Sequence, residues 1–327
     1  MATRGATTSS RRSRKVLVLY SGSYSRPDGL GAFLTRFGME AVLVDSDAER
    51  GGDSRHNLLD DSFYLPLLDR VRAGEFCAIF AAPPCSTFSI CRFYPKDGKS
   101  PPVLRDRKHI YGRKDLSPHH QRTLDNANKL VLRTCYMLLA GFNAGSQYVI
   151  ENPIDRGDRD LTRAFLNQEH GPLWQMPEIV ALASTTGAKV CHFSQCMIGA
   201  EHQKRTTLMY SSGFDAWLDP LGKLECNHHS HASAAGGERD EATGEWNSAA
   251  AAAYPPELNL YFAKAIASLL TQPTQDAATL RIPRPAANPS VAAPSASPDV
   301  PTEPTVAVSS GILASPSRPA PAPRESA

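Results

Sequence analysis

The chain has 327 residues, 41% apolar and 21% charged, with a formal net charge of +2. Five positive charges and no acid fall within residues 1–15, so the remainder is slightly acidic; this excludes a globally basic nucleic-acid binder and confines any polyanion contact to a local patch. No run approaches the ~20 apolar residues of a membrane span, and seven cysteines without framework spacing fit reduced thiols, so an intracellular chain with no membrane partner is expected.

Residues 1–14 are rich in Thr, Ser and Arg and are predicted to be disordered; Arg11-Arg12-Ser13-Arg14-Lys15 suits a solvated tail or a nuclear address. Val16-Leu17-Val18-Leu19-Tyr20 reads as a buried parallel strand. A helix is predicted over 28–37 and ends at Gly38. Ala41-Val42-Leu43-Val44 is a second strand closed by Asp45, a helix follows around 62–73, and 77–81 is a third strand. This alternation is half of a doubly wound sheet.

Ser117-Pro118 supplies a capping hydroxyl and an N1 proline for a helix through about residue 140. A fourth strand spans 147–151, a short helix 160–168, and two further strands lie at 189–193 and 206–210. Residues 213–252 read as a small irregular insertion, and Tyr254-Pro255-Pro256-Glu257 opens a last helix through Leu270. From 271 to 327 the chain is Pro, Ala, Ser and Thr without periodicity, too poor in apolar surface to offset ordering entropy. The expected organisation is therefore a disordered basic N-terminus (1–14), one α/β domain (15–270) and a disordered tail (271–327).

Two triplets at strand ends carry the chemistry. Pro83-Pro84-Cys85 follows the third strand and Glu151-Asn152-Pro153 the fourth. A lone cysteine is more often a small buried hydrophobe than a nucleophile. Two prolines that stiffen its loop, and a carboxylate at the end of the next strand, shift the balance. Such a pair suits thiolate addition to an electron-poor ring, with the carboxylic acid offsetting the charge that builds there.

The triplets resemble those of the cytosine-5 DNA methyltransferase family, and the resemblance extends over residues 16–270. Ala81-Ala82-Pro83-Pro84-Cys85-Ser86-Thr87-Phe88-Ser89 is similar to the family's Pro-Cys loop, and Glu151-Asn152-Pro153 to its Glu-Asn-Val motif. Tyr20-Ser21-Gly22 with Gly29 and Gly31 is similar to its first glycine-rich loop, and Tyr254-Pro255-Pro256-Glu257-Leu258 to its closing motif. The resemblance implies a Rossmann-like, S-adenosylmethionine-dependent methyltransferase fold: α/β, doubly wound, with a mostly parallel sheet. It implies transfer of a methyl group to carbon 5 of cytosine in DNA, with RNA as the alternative substrate and a catalytically degenerate nucleic-acid-binding module as the alternative role.

By the same resemblance Cys85 is the nucleophile and Glu151 the acid, aided by Arg205. Tyr20, Gly22, Asp45, Asp60 or Asp61, and Pro84 would bind S-adenosyl-L-methionine; Ser86, Asn152 and Gln203 would hold the base. The chain departs from the pattern at Tyr24, where the family has a second glycine, and at Thr207, where Gln203-Lys204-Arg205-Thr206-Thr207 lacks a last arginine. Only about 40 residues stand in place of a target-recognition region.

Residues 92–122 hold nine Lys and Arg against three Asp. A basic loop directly after the nucleophile is expected to grip phosphates beside a flipped base, through Arg105, Arg107 and Lys108 among others. Cys226-Asn227-His228-His229-Ser230-His231, with Cys191 and Cys196, offers zinc-ligand types but no clean second pair. It reads as a histidine-rich surface turn, and no metal is expected.

Overall fold

The computed structural model describes residues 13–94, 101–231 and 252–271; the expected disorder of residues 1–12 and 272–327 therefore lies outside the described residues. Six strands form one sheet in the order β2-β1-β3-β4-β6-β5. They are β1 (Lys15–Leu19), β2 (Glu40–Val44), β3 (Ala78–Ala81), β4 (Gln147–Pro153), β5 (Lys189–Ser194) and β6 (Arg205–Tyr210). β1 pairs in parallel with β2 and β3, and β3 with β4, whereas β6 runs antiparallel between β4 and β5. The protein has the doubly wound, mostly parallel, Rossmann-like architecture expected from the strand-helix alternation.

Period-two burial explains the two layers. Leu17 and Leu19 of β1 join a cluster with α2 (Asp61–Arg72), α3 (Pro118–Asn143) and α4 (Pro177–Thr186). Val16 and Val18 join the opposite cluster with α1 (Leu30–Arg36), α5 (Asp215–Leu218) and α6 (Pro256–Ser268). A strand buried on both faces needs the continuous apolar run seen at Val16–Leu19. Caps set the helix starts: Ser117 Oγ accepts from His120 N ahead of Pro118, and Asp60 accepts from Ser62 N.

Two expectations are corrected, and one helix is added. No helix occupies 160–168: the Leu166 and Asn167 amides both donate to the Arg156 carbonyl, so the chain folds back after a single turn at Leu161. The start of the 213–252 segment is not irregular: it holds α5, and Phe214, Leu218 and Leu221 are buried against the sheet; residues 232–251 lie outside the described residues. α4 was not foreseen, although Pro177 at its start and Gly187 at its left-handed C-cap (φ 64°) delimit it. Among the described residues, no helix is long and apolar enough to cross a membrane.

Candidate active site

In open α/β sheets ligands bind beyond the carboxyl ends of the strands, where the winding direction reverses. Here the chain steps from β1 outward to β2 and then returns to place β3 on the other side of β1, so that point lies between β1 and β3. A cavity of about 570 Å³ sits there, within the usual range for a small-molecule site. It is lined at one end by Tyr20, Gly22 and Asp45 and at the other by Pro84, Cys85, Glu151 and Lys204.

The first strand end is shaped by backbone. Tyr20 holds φ 60°, rare for a bulky residue, and Gly22 holds φ 69°, where glycine is unstrained. This turns the Gly22 amide onto Asp45 Oδ2 at 2.9 Å, while Asp47 N donates to Oδ1 at 2.8 Å. Each oxygen keeps a lone pair for a further donor. Tyr24 buttresses this corner. Its hydroxyl accepts from Asp45 N at 2.9 Å and lies 2.6 Å from His56 Nδ1, whose ring stacks on Phe63.

The two triplets are tied together. Asn152, buried, donates from Nδ2 to the Pro83 carbonyl at 2.8 Å, so β4 fixes the loop that carries Cys85. Burial raises the Cys85 pKa, with the Lys204 ammonium opposing and the Glu151 carboxylate adding to the rise. Glu151 is 4% exposed. Its Oε2 accepts from the Tyr254 hydroxyl at 2.8 Å, and Oε1 has no hydrogen-bond partner among the described residues but pairs with the Lys204 ammonium at 3.5 Å. Burial and the adjacent carboxylate push the Tyr254 pKa well up, so this phenol stays a donor.

Several expected roles are relocated. Arg205 does not accompany Glu151. Val149, Glu151 and Leu208 share one sheet face, and counting back by twos from Leu208 puts Lys204 on it and Arg205 on the other. Arg205 lines a different cavity, with Ile154 and His192. Lys204 was the residue missed, and strand alternation was the signal for it. Gln203 hydrogen-bonds Cys226 and does not line the cavity. Neither Asp60 nor Asp61 lines it: Asp60 caps α2, Asp61 pairs with Arg133, and Asn57, Leu58 and Leu59 form that wall. The Asn152 amide group is committed to the Pro83 carbonyl. Ser86 is exposed beside Cys85, its carbonyl accepting from Arg92.

The basic loop is also corrected. Arg105 is 1% exposed, stacks at 3.8 Å over the Phe88 ring and donates to Thr87, Asn128 and the Ile110 carbonyl. Arg107 holds both oxygens of Asp155 through Nη2. These two arginines clamp the loop after Cys85 to α3 and to the chain after β4. Only Lys108 of the three is exposed.

No family model matches the chain, and no curated protein matches it. Among solved structures it is similar to an S. pombe Dnmt2 methyltransferase (13% identity, TM-score 0.30, covering 60% of this chain and 48% of that one). It is also similar to a Spodoptera frugiperda DNMT2 mutant (11% identity, TM-score 0.31, covering 67% and 54%). The chain thus spans about half the length of each. At these scores the fold assignment rests on the strand order and pairing described above.

Proposed function

We propose that the protein is an S-adenosylmethionine-dependent methyltransferase acting on carbon 5 of cytosine in DNA. The observation that carries this reading is one cavity with a thiol and a buried, half-satisfied carboxylate at one end and a glycine-turned carboxylate corner at the other. The donor set fits the cofactor. Asp45 has acceptor capacity for ribose hydroxyls, Leu58, Leu59 and Leu130 offer apolar surface to a base, and 570 Å³ accommodates a nucleoside of that size. Bound there, the cofactor supplies an electrophilic methyl group.

The chain's own residues do the rest. Cys85 loses its proton to solvent, the Lys204 ammonium stabilising the thiolate, and adds through sulfur to carbon 6 while the ring electrons move toward carbon 5. Glu151, having taken up a proton from solvent, donates it from Oε1 to ring nitrogen 3 as negative charge builds there, and takes it back when the ring re-forms, while Tyr254 fixes its other oxygen. After carbon 5 gains the methyl group it loses its proton to solvent, the electrons re-form the double bond, and the sulfur leaves.

The test is trapping. DNA carrying 5-fluorocytosine blocks loss of the carbon 5 substituent, so a denaturation-resistant complex is expected with cofactor present. Cys85→Ala should abolish it, and Cys77→Ala and Cys91→Ala should not. An adduct that survives Cys85→Ala removes Cys85 as nucleophile, and an adduct on fluorinated RNA alone moves the substrate from DNA to RNA.

A further inference from the structure

Away from the cavity, four side chains converge at the edge of the sheet. Cys196 lies in the turn after β5, and Cys226, His228 and His231 lie in the irregular segment after α5. Their ligand atoms all fall within 4.8 Å of one another. Cys226 Sγ is 3.3 Å from His231 Nε2 and 3.6 Å from His228 Nδ1. A tetrahedral site with Zn–S near 2.3 Å and Zn–N near 2.05 Å has ligand–ligand edges of roughly 3.3–3.8 Å, so the two Cys226–histidine separations already match such edges, and the remaining separations need to close by no more than about 1.5 Å.

We propose that Cys196, Cys226, His228 and His231 form a structural Zn²⁺ site. Two thiolates and two imidazoles in a tetrahedron are a zinc-type set, closed to substrate because all four positions are protein ligands. This departs from the surface-turn reading of the sequence. The second pair it lacked is completed by Cys196, thirty residues upstream of Cys226, while His229 stays outside the cluster and Cys191, on β5, turns its thiol into the core. Gln203 hydrogen-bonds the Cys226 sulfur, the kind of outer contact that orients a metal ligand.

The surroundings explain why a metal would be used. Residues 225–231 contain no helix or strand and, among the described residues, contribute nothing to either apolar cluster, so apolar packing does little to hold them. A metal replaces the missing core at such a place. It would fasten this segment to the β5–β6 connection. That connection is pinned by the Gln195 amide on the Lys204 carbonyl, and Lys204 is the cation beside Glu151. The site therefore braces the wall of the candidate active site from outside.

The test reads metal rather than methylation, so it stands or falls apart from the proposed activity. The full chain, purified without chelator, should carry about one zinc per molecule by elemental analysis. Cys226→Ser and His231→Ala should each lower that to a small fraction, and His229→Ala should leave it unchanged. Cobalt(II) added to the metal-free wild type should give strong tetrahedral d–d bands and a thiolate charge-transfer band, a readout that does not depend on any variant folding. Absence of zinc together with no tetrahedral cobalt spectrum overturns the proposal. So does full zinc content in Cys226→Ser, or a Cys196–Cys226 disulfide in protein kept under reductant.

Discussion

At the scale of single residues, the site is organised by two hydrogen bonds, and each makes a separable prediction. Asn152 holds the nucleophile loop from β4 through the Pro83 carbonyl. Asn152→Ala leaves that buried carbonyl unpaired, which costs about 1–3 kcal/mol of stability. It should also slow formation of the 5-fluorocytosine adduct. Tyr254→Phe keeps the edge-on contacts with Phe80 and Phe262 and removes only the donor to Glu151. Its stability should fall by less than about 1.5 kcal/mol, while methyl transfer slows by about ten- to a hundredfold, the loss typical when a partner that orients a functional group is deleted. Urea midpoints and single-turnover rates on the same samples separate the two variants. Equal turnover in Tyr254→Phe and wild type would mean that Glu151 needs no such partner.

At the scale of elements, the segment joining the nucleophile loop to α3 is a strut before it is a nucleic-acid surface. A count of nine cations suggested phosphate contacts, but charge alone cannot tell a solvated arginine from one committed to a neighbour. Arg105 is a buried cation held by neutral acceptors and an aromatic face, and burial lowers its pKa. Arg105→Met should therefore destabilise the fold by about 2–4 kcal/mol, through acceptors left unpaired, and leave the salt dependence of DNA binding unchanged. Exposed Lys108 behaves oppositely. Lys108→Ala should leave the urea midpoint in place and reduce the log–log salt slope by about 0.9 if it meets one phosphate. A shallower salt slope in Arg105→Met at intact stability would show that the strut opens on binding.

At the scale of the whole molecule, what was legible in the sequence was what local periodicity controls. The apolar run of β1, the Ser117-Pro118 cap and the triplets at the ends of β3 and β4 follow from rules acting over a few residues. Arg105, the Lys204-for-Arg205 exchange and the Cys196 partner of Cys226 depend on contacts across the chain, and only the strand alternation at Lys204 had a local signal. The two-sided core has one consequence that no single element shows. It buries a thiol in each layer: Cys135 on α3 and Cys191 on β5, both with pKa pushed by burial to about 12 from an ordinary value of 9.0. The sign follows from proton binding. Between about pH 9 and about 12 the unfolded chain has released these protons and the folded chain has kept them, so folding is progressively disfavoured as pH rises, and below that window the two states agree. Each thiol should contribute up to about 1.4 kcal/mol of lost stability per pH unit in the window. Cys135→Ala/Cys191→Ala should start less stable than wild type near neutrality, from lost packing, yet decline less steeply above about pH 9. Urea midpoints followed across that range decide it, and parallel declines in the two proteins would mean that the buried thiols ionise without opposing the fold.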